Sequence, residues 1–340
     1  MRRSRCLSRA CLEAVRLALT AALLALVGMT GAVARVPQWQ WNVPAEISAP
    51  VIPIDNAMSR AKVELGRRLF YDADLSADGT MSCATCHEQR RAFADGNATH
   101  PGVTGERGRR NVPGLANVAW FTRLTFADPG LNSLEAQVGV PVFGTHPIEM
   151  GMAGREAEIA VRLARDPCYR TMFAQAFPDA GGRIDFGTTA KAIASFERTL
   201  VSFGSPYDRG RMSAGAKAGQ AAFARACVGC HAGPQFTDQS YHRMEMPDPL
   251  ASDPGLSEKT GKAEDLGKFR TPSLRNVALS APYWHDGAEP TLAGVIERHR
   301  LALTAGETTS LVSFLEALTD TEFLGRKSLA LPATACGRKL

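Results

Sequence analysis

Two five-residue clusters carry the obvious chemistry: Cys83-Ala-Thr-Cys86-His87 and Cys227-Val-Gly-Cys230-His231. Two thiols three positions apart, followed at once by a histidine, form the pattern that attaches a c-type haem. The sulfurs add to the vinyl groups and the imidazole reaches the iron. A four-cysteine zinc site built from two CxxC pairs is the competing chemistry, but zinc needs no histidine directly after each pair. A thioredoxin-type CxxC needs a βαβ setting that the sequence lacks. The pattern therefore predicts two covalently held haems, with Cys83, Cys86, His87, Cys227, Cys230 and His231 as the attachment and ligand residues. Cys168 and Cys336 are left over. They read as one buried thiol and one tail thiol; a disulfide between them suits an oxidising compartment, but nothing in the sequence supports it.

The elements that must position these clusters read as helices. Ala61, Leu65 and Leu69 share a helical face before the first cluster, and Ile159 and Leu163 share another. Ile193, Phe196 and Leu200 form a stripe that ends near Gly204-Ser205-Pro206, a linker. Leu292, Val295, Ile296 and His299 fall at helical spacing behind Thr291, a capping residue. Leu311, Phe314, Leu315 and Leu318 repeat the spacing after Thr304-Ala-Gly-Glu307, a capping box. No strand alternation is sustained. The expected fold is mostly α, with two cytochrome c-like haem domains packed around an inter-haem interface. Residues 35–204 would hold the N-terminal haem and 205–325 the C-terminal one, with 326–340 as a tail.

The chain has 340 residues, 45% of them hydrophobic and 21% charged, which excludes a disordered chain and a disulfide miniprotein. Its net charge of +5 sits almost entirely at the front. Arg2, Arg3, Arg5, Arg9 and Arg16 against Glu13 give that segment +4, leaving a nearly neutral body that offers no surface for nucleic acid. These arginines precede the apolar run from Leu17 to Met29 and the small-x-small site Ala32-Val33-Ala34. That is a secretory signal peptide over residues 1–34, cleaved after Ala34. The apolar run is too short to span a membrane. The mature chain is expected in the periplasm, where c-type haems are attached.

Both CxxCH clusters, with Leu65-Gly-Arg-Arg-Leu-Phe-Tyr71, Leu134-Glu-Ala-Gln137, Ser195-Phe-Glu-Arg198, Arg270-Thr-Pro-Ser-Leu-Arg-Asn276 and Pro282-Tyr-Trp-His-Asp-Gly287, resemble the bacterial dihaem cytochrome c peroxidases and MauG. Phe143-Gly-Thr-His-Pro-Ile-Glu149 and Leu318-Thr-Asp-Thr-Glu-Phe-Leu324 are most similar to the MbnH-like branch, associated with oxidising a tryptophan in a copper-binding partner protein. The resemblance covers about residues 38–325. It implies that His87 serves the haem where hydrogen peroxide reacts and His231 an electron-transfer haem. It further implies that Gln137, Pro141 and Glu149 line the peroxide side, Glu149 as the acid/base. Asn111, Ser280 and Pro282 match a calcium site between the haems, the last two through backbone carbonyls.

Three positions depart from the family pattern. The family places Met or Tyr as sixth ligand of the second haem; here the position is His299, a good iron ligand. The family's inter-haem tryptophan falls at Phe126, with Trp120 close in sequence. Thr104 replaces the histidine that closes the first haem in peroxidases that rest inactive; His100 is near but does not match, so the first iron is expected to be open. The function expected is a periplasmic dihaem peroxidase of MauG/MbnH type, oxidising a protein substrate, a small exported copper-binding protein being one candidate. The alternatives are a cytochrome c peroxidase fed by a small cytochrome or copper protein, and a non-catalytic dihaem electron carrier.

Overall fold

The computed structural model of the protein describes residues 39–244 and 253–339; the signal peptide expected over residues 1–34 lies outside them. Helix α1 (Arg60–Phe70) starts where the Ser59 side chain accepts from the Lys62 amide, and Leu65, Leu69 and Phe70 are fully buried. The short α2 (Cys83–Cys86) carries the first thiol pair. Helices α3 (Leu134–Phe143), α4 (Glu156–Ala164), α5 (Pro167–Ala176) and α6 (Phe186–Glu197) complete the N-terminal half. Helix α7 (Ala214–Ala226) leads into the second thiol pair, and α8 (Ser257–Thr260), α9 (Leu292–Arg298), α10 (Ala305–Glu316) and α11 (Thr321–Gly325) follow. Strands are few among the described residues. An antiparallel pair joins β1 (Tyr241–Arg243) to β2 (Lys268–Arg270), with Tyr241 opposite Arg270. A second joins β3 (Thr334–Ala335) to β4 (Arg338–Lys339). The mostly α expectation holds, and residues 41–340 form one compact unit.

The two halves are built by the same device. A glycine in the helix before each CxxCH lets a later helix cross it at backbone distance. A Cβ on Gly66 of α1 would lie 1.8 Å from the Ala192 carbonyl oxygen in α6. A Cβ on Gly219 of α7 would lie 1.9 Å from the Ser310 carbonyl oxygen in α10. Any side chain there would force the helices apart. The Phe70 ring packs against Phe93 and Phe196 in the first half, and Phe236, Phe223 and Phe314 interlock in the second. Leu311, Leu315 and Leu318 bury the stripe expected of α10 around Phe314. Truncating Phe314 to Ala should cost about 3–5 kcal/mol.

The C-terminal residues are not a loose tail. Arg67 donates to the carbonyls of Lys327 and Ala330, the Tyr71 hydroxyl to that of Leu329, and the Gln89 amide to that of Arg326. A disulfide joins Cys168 to Cys336. The reading of two separate thiols is corrected: the pair closes a 168-residue loop and fastens the C-terminal strap to α5 of the N-terminal half.

Candidate functional site

The second CxxCH lines a cavity of about 420 Å³, a size typical of ligand pockets. Cys227, Cys230 and His231 form one wall, and His299 and Phe126 also face it. His299 sits at the end of α9, whose start is fixed by the Thr291 cap on the Gly294 amide. Ile296 buries the same face, so the expected stripe does turn His299 inward. His299 also meets the Trp284 ring edge-on, with centroids 5.8 Å apart.

Hydrogen bonding separates His87, His231 and His299 from the other histidines. His87 Nδ1 donates to the Phe93 carbonyl at 2.8 Å, His231 Nδ1 to that of Phe236 at 3.0 Å, and His299 Nδ1 to that of Val295 at 2.7 Å. A carbonyl can only accept, so each Nδ1 carries a proton and Nε2 is the nitrogen left to bear a lone pair. That is the tautomer a metal-ligating histidine needs. Burial favours the neutral form of His87, and pushes His231 down to about 4. The remaining histidines are engaged otherwise. His242 donates through Nε2 to Asp238 at 2.7 Å, and His100 through Nδ1 to Asp95 at 2.7 Å. His285 stacks on Phe269 with centroids 3.8 Å apart, and its carbonyl accepts from the Asn111 amide. His146 lies beside the Thr145 hydroxyl.

Near the first CxxCH lies Glu149, whose charge reaches the Cys86 thiol, and its loop is tied to the helix that carries Gln137 and Pro141. Gln137 and Pro141 stand four apart on α3 and so share a face. The Met150 amide donates to the Pro141 carbonyl at 2.9 Å, tying the loop of Glu149 to that helix, and the Val103 amide holds the Glu149 carbonyl at 2.8 Å. Burial raises the pKa of Glu149, opposed only by the charge of nearby His100. Burial and the Glu149 carboxylate push the Cys86 thiol up to about 12. Gln137 Oε1 is buried without a partner. A buried acceptor left open on the helix to which the Glu149 loop is tied is compatible with a polar group binding on that side. Thr104 is exposed in a turn.

The zinc alternative does not fit. Among the described residues the four CxxCH sulfurs do not cluster, and the one group at metal-binding distance is Cys230, Asp238 and His242. Asn111, Ser280 and Pro282 do line one cavity. The Asn111 side-chain amide donates to the carbonyls of Asn97 and Ala98. Sequence reasoning missed the carbonyl acceptors of His87, His231 and His299, which no motif encodes, and the buried Arg270 in the cavity wall.

The sequence profile of the family described as di-haem cytochrome c peroxidase matches residues 60–216. The methylamine utilization protein MauG of Methylophilus methylotrophus is 34% identical over 276 residues, 78% of each chain. Cytochrome-c peroxidase IdrP1 of Denitromonas iodatirespirans is 32% identical over 337 residues, covering 83% of this chain and 87% of its own. The crystal structure of a MauG-like protein associated with microbial copper homeostasis matches with a TM-score of 0.83 at 37% identity, over 86% of this chain and 99% of its own.

Proposed function

On the premise that the chain belongs to the di-haem cytochrome c peroxidase family, a peroxidase carrying two c-type haems, we propose that it is a periplasmic enzyme of MauG type that spends hydrogen peroxide on a protein substrate. The observation that carries this is the contrast between the two sites: a ligand-ready His299 at the second, a buried Gln137 acceptor and a desolvated Glu149 at the first. The haems, when attached, supply one-electron redox chemistry and a site at which peroxide is reduced.

The residues of the chain do the rest. His87 and His231 each present Nε2, held in place by a backbone carbonyl. His299 offers a second imidazole in the cavity of the second CxxCH, which closes that site to small ligands and favours electron transfer. Glu149 takes a proton from one peroxide oxygen and returns it to the departing one. Gln137 accepts a hydrogen bond from the peroxide and orients it. Each peroxide consumes two electrons and two protons and yields two waters; the substrate protein supplies the electrons. Asn111 Oδ1 and the carbonyls of Ser280 and Pro282 form a calcium site. The oxidising compartment agrees with the Cys168–Cys336 disulfide and the export signal, and no helix among the described residues is long and apolar enough to cross a membrane.

The support for protein oxidation over simple scavenging is the likeness to MauG and to the MauG-like protein of copper homeostasis. The test gives the holoenzyme one equivalent of peroxide at a time, with either a reduced small cytochrome or a small copper-binding protein that contains tryptophan. Oxidation of the tryptophan, seen by peptide mass spectrometry and dependent on the enzyme, is the expected result. Rapid turnover with the cytochrome and no modified protein would assign scavenging instead.

A further inference from the structure

Four arginines are buried in the described residues: Arg68, Arg198, Arg270 and Arg275. A buried guanidinium needs a counter-charge, because it cannot shed its proton and loses its hydration. Three have one. Arg68 pairs with Asp166, Arg198 with Glu135 at 2.8 Å, and Arg275 with Asp208 through two 3.0 Å contacts. Arg270 is only 3% exposed, yet among the described residues no carboxylate meets it. Its Nε donates to the Thr125 carbonyl at 3.1 Å and its Nη1 to the Thr271 carbonyl at 3.3 Å, and the guanidinium lies over the Phe121 ring, 5.7 Å from its centroid. The contrast with Arg275 is sharp, since both come from the run Arg270–Asn276 and both line the cavity of the second CxxCH.

A second orphan lies beside it. Tyr241 is directly opposite Arg270 in the β1–β2 ladder, so their side chains leave the same face. The Tyr241 hydroxyl is buried without a partner. A buried cation that no carboxylate meets among the described residues and an unpaired hydroxyl donor on one face call for an acceptor that is anionic. We propose that Arg270, assisted by the Tyr241 hydroxyl, binds a propionate carboxylate of the haem held by Cys227 and Cys230. The Arg270 amide also donates to the Phe126 carbonyl at 2.8 Å, so the same residue ties this haem edge to the segment that carries the inter-haem position. Arg270 is a positioning residue here; it sets the haem's charge and seat without touching peroxide. The inference rests on the second haem and is independent of which substrate the enzyme oxidises.

The test uses holoprotein of R270Q, R270K and Y241F, with both haems counted by pyridine haemochrome assay. Midpoint potentials are read by spectroelectrochemistry, and the propionate bending bands by resonance Raman. Removing a cation beside a carboxylate disfavours the reduced haem. R270Q should shift the second haem to lower potential and move its propionate band, with the first haem unchanged. R270K should restore most of the potential, and Y241F should give a smaller shift in the same direction. Unchanged potentials and bands in folded two-haem R270Q would overturn the proposal, leaving Arg270 as a clamp on Thr125. If R270Q does not fold, Y241F and R270K decide: a band shift in either supports propionate binding, and wild-type spectra in both overturn it.

Discussion

The two halves of the molecule share a construction and differ in one wall. Each places a glycine-bearing helix before a CxxCH, crosses it with a later helix, and holds the CxxCH histidine by a backbone carbonyl five or six residues on. The second half then sets His299 into the cavity, in the same tautomer as His231. The first half sets Glu149 near Cys86 and ties its loop to the helix of Gln137 and Pro141, and none of these is an imidazole. On the function proposed above, one scaffold used twice gives one site that reacts and one that relays, and a few side chains make the distinction.

The largest effect that tests this division is loss of a haem. Replacing Cys83 and Cys86 by Ala should lower the haem count from two to one and abolish peroxide turnover, as read by haemochrome assay and intact mass. The matching change at Cys227 and Cys230 should leave a chain that still binds peroxide but no longer exchanges electrons with its partner. Equal loss of peroxide binding in both would show that the halves are not specialised.

Next comes the proton-transfer group. Glu149→Gln should slow the peroxide step by roughly 10²–10⁴-fold with both haems retained, measured by stopped flow. Burial raises the pKa of Glu149, and a base acts in its ionised form. The wild-type rate should therefore rise with pH through a pKa above the ordinary carboxylate range and fall away below it. That limb should vanish in the variant.

A smaller effect concerns how the halves are fastened. The Cys168–Cys336 disulfide closes a loop of 168 residues, and a link of that kind typically contributes about 2–4 kcal/mol. Cys336→Ser should lower stability by that order in denaturant titration while the haem spectra stay as they were. A spectral change would mean that the strap shapes the first site as well as holding it.

Much of the site was legible because its chemistry is local. CxxCH needs only five consecutive residues, and the stripe Leu292, Val295, Ile296, His299 spans two helical turns, so periodicity alone placed His299 on the inward face. The helix starts at Thr291 and Thr304 were readable for the same reason. What sequence could not give is long-range. The disulfide joins residues 168 apart, and nothing near Cys168 names Cys336. The strap reaches α1 through backbone carbonyls, which every residue possesses. Arg270 looked like Arg275 in sequence, and only the distribution of carboxylates in space tells them apart. Glu149 was weak by itself as a loop carboxylate; the bond from Met150 to Pro141 is what sets it beside α3.

The claim that one site is open and the other closed by His299 is tested most directly by counting carbon monoxide. The fully reduced holoenzyme should bind one molecule per chain, at the haem of His87, and His299→Ala should bind two, with a new high-spin signal in the electron paramagnetic resonance spectrum of its oxidised form. A wild-type chain that binds two, or a His299→Ala chain that still binds one, would contradict the account.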